Sequence, residues 1–172
     1  MLIREANAAD RPAMLAIINR AAEAYRGVIP ADRWHEPYMP AEALATEIGA
    51  GVRFWLAEED RVVGVMGMQD KGDVALVRHA YVAPAMQRKG VGEALLRHVQ
   101  GLTEKPVLIG TWAAASWAID FYKRNGFALV SPAEKERLLR RAPISFDAES
   151  EETRLARRKR GWIAQVEFRE GR

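Results

Sequence analysis

From residue 73 to residue 131 the chain alternates extended and helical segments with glycine at the joints, and this order restricts the fold more than any other feature. "DVALVRHAYVAP" (73 to 84) is rich in β-branched and apolar residues, so it reads as a strand whose ladder Pro84 ends. Beyond the pair Gly90 and Gly92, the residues Val91, Ala94, Leu95, Val99 and Leu102 recur at spacings of three and four, so a helix begins at the glycines. "PVLIGTW" (106 to 112) is almost uniformly apolar, as in a strand covered on both faces. Ser116 is placed to cap the helix "WAIDFYKRNGF", Asn125-Gly126 to stop it, and "FALVS" to follow as a strand.

The front half differs. "LIREA" (2 to 6) reads as a strand, and Asp10 with Pro12 opens a helix whose apolar stripe runs from Met14 to Tyr25 and stops at Gly27. The aromatic, proline-bounded "VIPADRWHEPYMP" suits a loop folded over something, and "AEALATEIGAG" a second helix. "RFWLAEE" (53 to 59) and "RVVGVMGMQ" (61 to 69), separated by Asp60 alone, form a tight hairpin. An antiparallel front joined to a β-α-β-α-β back gives a mixed α/β fold, with helices flanking one sheet. At 172 residues the chain is expected to form one domain. "AEKERLLRR" within the charged stretch from 132 to 160 reads as helical, and "WIAQVEF" as a closing strand.

Absence of cysteine excludes disulfides, thiolate metal sites and cysteine nucleophiles, and with no export signal or membrane-length apolar run it points to a cytoplasmic protein. The basic excess gathers in "RLARRKR" (154 to 160), preceded by Asp147, Glu149, Glu151 and Glu152. The run lacks interleaved aromatics, so a solvated helical face is favoured over a nucleic-acid surface, and neither nucleic acid, membrane nor metal is expected as a partner.

Backbone N–H groups at a helix N-terminus lack intrahelical partners and carry partial positive charge, so donors after a glycine turn can converge on phosphate oxygens. Gln87, Arg88 and Lys89 add donors at the rim. No Walker loop is present, and the dinucleotide pattern G-x-G-x-x-G fails because Leu95 stands at its third glycine. On these residues alone, a phosphate cradle and a merely structural turn both remain open.

"QRKGVG" (87 to 92), however, resembles the [QR]-x-x-G-x-[GA] acetyl-CoA-binding signature of the GNAT superfamily of N-acetyltransferases. "AYVAP" resembles the bulged strand before that loop, "GVGEALLRHV" the helix after it, and "AIDFYKRNGF" the second signature, with strand and helix order agreeing from residue 2 to about 131. The resemblance implies a mostly antiparallel, twisted mixed sheet of about seven strands flanked by helices. It implies that the backbone of Ala80, Tyr81 and Val82 pairs with the pantetheine arm, that Gln87, Arg88, Lys89, Gly90, Val91 and Gly92 bind the pyrophosphate, and that Tyr122 is the general acid. Many members carry asparagine where this chain has Ala115, so that cofactor contact is lost or falls to Ser116.

The implied reaction is attack of a neutral primary amine, on a small molecule or peptide, upon the acetyl-CoA thioester, followed by departure of CoA thiolate; no metal takes part. A protonated tyrosine can donate to that thiolate, although Tyr122 beside Phe121 also suits plain helix packing. Glu36 and His79 are candidates for the base, against a solvated loop acid and a packed strand histidine; His98 reads as structural. Tyr25, Trp34, Glu36 and Tyr38 would wall an acceptor with an apolar body, unless those aromatics only pack two helices together. A non-catalytic acyl-CoA sensor is the alternative function, and the last strand could pair across a homodimer.

Overall fold

The computed structural model describes residues 1–131, 133–134 and 161–166. The expected helix in "AEKERLLRR", the charged stretch 132 to 160, the basic run 154 to 160, and the end of "WIAQVEF" fall largely or wholly outside the described residues.

Seven strands and four α-helices occur among the described residues: β1 (Leu2–Glu5), α1 (Arg11–Ala22), α2 (Ala41–Gly49), β2 (Arg53–Glu58), β3 (Val62–Asp70), β4 (Ala75–Val82), α3 (Val91–Gly101), β5 (Val107–Trp112), α4 (Ser116–Arg124), β6 (Ala128–Leu129) and β7 (Gly161–Val166). The expected mixed, mostly antiparallel sheet flanked by helices is present. The chain divides into two compact units, Met1–Asp70 with Val77–Glu104, and Lys71–Leu76 with Lys105–Arg172.

In the first unit β1, β2, β3 and β4 lie side by side in that order. β1 and β2 pair antiparallel, as do β2 and β3, with Phe54 opposite Gly67 and Leu56 opposite Val65. Because side chains alternate across a strand, β2 is buried on both faces. Phe54 and Leu56 join Met14, Ile17 and Ile18 of α1 and Leu44 of α2 in one core, whereas Trp55 turns to the opposite face and meets His98 of α3 at 6.5 Å between ring centroids. His98 is thus a packing residue, as its sequence position suggested.

Asp10 does not cap α1 as expected. Its carboxylate accepts from the Asn7 N–H at 2.8 Å and from Arg4, while Asn7 caps a single 3-10 turn (Ala8–Asp10) ahead of the helix. α1 itself has no side-chain cap, and Pro12 occupies its first turn.

In the second unit β5 pairs with β7 and β7 with β6, both parallel. Ala75, the first residue of β4, donates to the Pro106 carbonyl at 3.0 Å. Ser116 is the first residue of α4 rather than its cap; Ala115 holds the cap position and no side chain closes it. At the other end Asn125, Gly126 at φ +87° and buried Phe127 stop the helix as expected, with the Phe127 N–H donating to the Tyr122 carbonyl at 3.1 Å.

Candidate functional site

The loop between β4 and α3 has a backbone that few residues could follow. Pro84–Met86 form a 3-10 turn, the chain passes through left-handed conformations at Arg88 (φ +60°) and Gly90 (φ +82°), and α3 starts at Val91. Gly90 is the N-cap and supplies no side chain, so no protein group closes the helix end. The Ala94 N–H reaches the Gly90 carbonyl, whereas the N–H groups of Val91, Gly92 and Glu93 donate no hydrogen bond among the described residues. Arg88 and Lys89 are exposed beside them. Three open donors, a helix dipole and two cations make a ready site for a polyanion.

Leu95 explains how this helix sits without the third glycine of a dinucleotide fold. Close approach needs one small partner, and here that partner is on the strand. A Cβ added to Gly64 of β3 would lie 2.9 Å from Leu95 Cδ1 and 2.9 Å from Val91 Cγ1. The glycine has moved from helix to sheet, and the helix side chains fill its space.

Gln87 is exposed, and its Nε2 donates to the Val82 carbonyl at 3.3 Å, tying the loop back to β4. Val82, Tyr81 and Ala80 are half-buried at the strand's end.

The aromatic loop gathers beside that strand. Tyr25 and Tyr38 stack at 6.3 Å with rings 10° apart, and both meet Tyr81 edge-on at 6.4 Å. Trp34 tilts onto Tyr38 at 5.5 Å, and the Arg26 guanidinium lies 4.7 Å above the indole. Arg26 is itself held by Glu23 and by Glu36, each at 2.8 Å. Glu36 is exposed and His35 lies on the loop surface. Burial, with a smaller contribution from Tyr38, pushes the Tyr25 phenol up to about 12. Asn19 of α1 fixes the loop's far end by donating to the Met39 carbonyl at 3.0 Å and accepting from its N–H at 2.7 Å. Tyr81, included in the sequence reading only through its backbone, is the member of this cluster that pattern reasoning missed; its aromatic type on the strand leading to the loop was the available signal.

Comparison with known proteins bears on the family of this fold. Residues 50–129 match the acetyltransferase (GNAT) domain family. That segment is similar to a GNAT acetyltransferase domain. A curated relative, the peptidyl-lysine N-acetyltransferase YiaC of Escherichia coli, is 27% identical over 77% of this chain and 86% of its own length. Among solved structures, the PaiA N-acetyltransferase of Thermoplasma acidophilum in complex with coenzyme A aligns with a TM-score of 0.63 and 21% identity, covering 73% of this chain and 88% of that one. The ribosomal-protein-S18-alanine N-acetyltransferase of Escherichia coli gives 0.60 and 24%, covering 76% and 79%. These structural likenesses carry the fold.

Within the first unit, His79 of β4 adopts φ +52°, a left-handed conformation inside a strand. Its ring lies over Phe54 at 5.9 Å, and its Nε2 is 3.1 Å from Glu47 Oε2 of α2. The N–H direction misses that oxygen, so the contact is a close approach without an aligned hydrogen bond. Burial holds the imidazole below its ordinary range, with Glu47 acting in the opposite sense. Below about pH 6.5 the unfolded chain protonates this histidine while the folded chain resists, so the unfolded state binds more protons and stability falls with pH. Carboxylates held low by arginines, Asp10 and Glu5 among them, keep their contribution through the same range. We expect a lower Tm at pH 5.5 than at pH 7.5 by scanning calorimetry, and a smaller drop in His79→Asn, a residue that tolerates positive φ.

In the second unit Tyr122 is 6% exposed and sits between Phe121 and Phe127, with ring centroids at 5.1 and 5.8 Å. Ser116 is exposed at the start of α4. No helix among the described residues is long and apolar enough to cross a membrane, and no group of three or more metal-ligating side chains is found among them.

Proposed function

We propose that this acetyltransferase moves an acetyl group from acetyl-CoA to a primary amine of a small molecule or peptide by direct attack, the whole chain serving as one catalytic domain. The observation that carries this reading is the open N-terminus of α3, where three backbone donors, Gly90 and two exposed cations meet the requirements of a pyrophosphate. Gln87, Arg88, Lys89, Gly90, Val91 and Gly92 hold that group, and Ala80, Tyr81 and Val82 receive the pantetheine arm. The Ser116 hydroxyl replaces the amide that Ala115 lacks. The amine nitrogen bonds to the thioester carbon, the carbon–sulfur bond breaks, and the electron pair leaves on sulfur, to which Tyr122 gives its proton. The Val82 N–H steadies the oxyanion meanwhile. Glu36 or His79 takes the amine's proton. The curated relative's name and one neighbour's title specify lysine and alanine amines, which supports an amine acceptor here.

A thiol-release assay with acetyl-CoA against a panel of primary amines tests the reaction; absence of amine-dependent thiol release across the panel, with acetyl-CoA bound, overturns it. A second reading, a non-catalytic acyl-CoA sensor, is favoured by one observation: Tyr122 is wedged between two phenylalanines, where a packing residue belongs.

For the acceptor, Tyr25, Trp34 and Tyr38 form an apolar wall with Glu36 at its edge. Alanine at Trp34 and Glu36 is expected to raise the acceptor KM about tenfold while shifting that for acetyl-CoA less than about twofold, since one tenfold step is about 1.4 kcal/mol of binding. Equal increases in both constants rule the wall out.

A further inference from the structure

In a regular strand, consecutive side chains point to opposite faces. Arg78 and His79 break that rule: both reach the same carboxylate. Arg78 grips Glu47 with Nη1 2.9 Å from Oε2 and Nη2 3.1 Å from Oε1, and His79 Nε2 stands 3.1 Å from Oε2. The left-handed turn at His79, φ +52°, is what brings the two to one side. A side chain held in that region persists only when its surroundings over-determine it. The surroundings here are specific. Gln69 of β3 accepts from Arg78 Nη1 at 3.3 Å and donates to the Ala50 carbonyl, at the end of α2, at 2.7 Å. Gly67 leaves room for the displaced backbone, since a Cβ there would stand 3.0 Å from the Arg78 carbonyl oxygen.

The break falls one residue before Ala80. A left-handed residue within a strand re-aims the backbone that follows it, so whatever fixes His79 also fixes the direction of the N–H and C=O groups of Ala80, Tyr81 and Val82. We propose that Glu47 is a positioning residue for the acyl-CoA-binding strand, acting through Arg78 and His79 from the C-terminal turn of α2, at no contact with the ligand itself. The assignment rests on the proposed use of residues 80–82 by acetyl-CoA. It gives α2 a hold on cofactor affinity.

Titration calorimetry with coenzyme A, on the full chain well below its Tm, tests this. Glu47→Gln keeps shape and one acceptor oxygen but loses the charge that joins both residues; its Kd for coenzyme A is expected to rise about tenfold, with the acceptor KM within about twofold of the parent. Arg78→Lys, which keeps the charge on one donor, is expected to give about a threefold rise. Tm lowered with Kd unchanged in both variants overturns the proposal, because it assigns Glu47 a merely structural part. Failure of the parent chain to bind coenzyme A overturns the proposed function and this proposal with it, whereas a parent that binds and variants that bind equally overturn this proposal alone.

Discussion

Tyr122→Phe is expected to lower kcat about 100-fold, or about 2.7 kcal/mol in the barrier, with both KM values within about twofold of the parent. The departing CoA thiolate, of pKa near 8.5, must be protonated or solvated as the carbon–sulfur bond breaks. A phenol is a weaker acid than the departing thiol, so its proton moves uphill to sulfur by a step that the breaking of the carbon–sulfur bond drives. Phenylalanine preserves the ring that packs between Phe121 and Phe127, so α4 keeps its place and Tm changes little. The variant therefore isolates the oxygen. Unchanged kcat with every accepted amine removes Tyr122 from the chemistry; lost activity with a large drop in Tm marks it as packing.

Gly161→Ala is expected to destabilise the chain more than any other single methyl addition described above. Gly161 of β7 lies directly under the Phe127 ring: an added Cβ would overlap Cε1 and Cδ1 and stand 2.8 Å from Cζ. Phe127 is 4% exposed, so the ring has no solvent to swing into. Forcing a methyl into such a core costs about 3 kcal/mol, and for a chain of this size that lowers Tm by roughly 10 °C. The displaced ring also bears on Tyr122, its neighbour at 5.8 Å, so kcat should fall along with Tm. Phe127→Leu made together with Gly161→Ala should recover part of the loss in stability, and a double-mutant cycle reads that coupling directly. Strict additivity of the two substitutions shows that the contact is not the cause.

Much of this fold is legible in the sequence. The glycine pair, the periodicity from Val91 to Leu102 and the Asn125-Gly126 stop located α3 and α4 to within a residue, because each signal is local. The misses were non-local or competitive. Asp10 has the right type to cap α1, but Arg4 of β1 and the Asn7 N–H, neighbours through a turn no periodicity reveals, claim its oxygens first. Ser116 gave way to Ala115 because the turn before α4 enters one residue earlier. Glu47 was invisible in the sequence: an acid near the end of a short helix carries no sign that two residues 31 and 32 positions later will fold onto it. His79 read as a strand histidine, and only its φ angle shows that alternation stops there.

The two hydrogen bonds between Asn19 and the backbone of Met39 have a bearing on how such enzymes can be retargeted. Together with buried Ile29 they staple both ends of the segment from 30 to 38, whose interior residues are exposed or only half-buried. The segment is therefore a replaceable cassette. Its length and chemistry can drift, or be exchanged by design, while α1, α2 and β4 keep their positions; with the proposed acceptor wall in this segment, a new amine preference would be acquired by rewriting nine residues between fixed anchors.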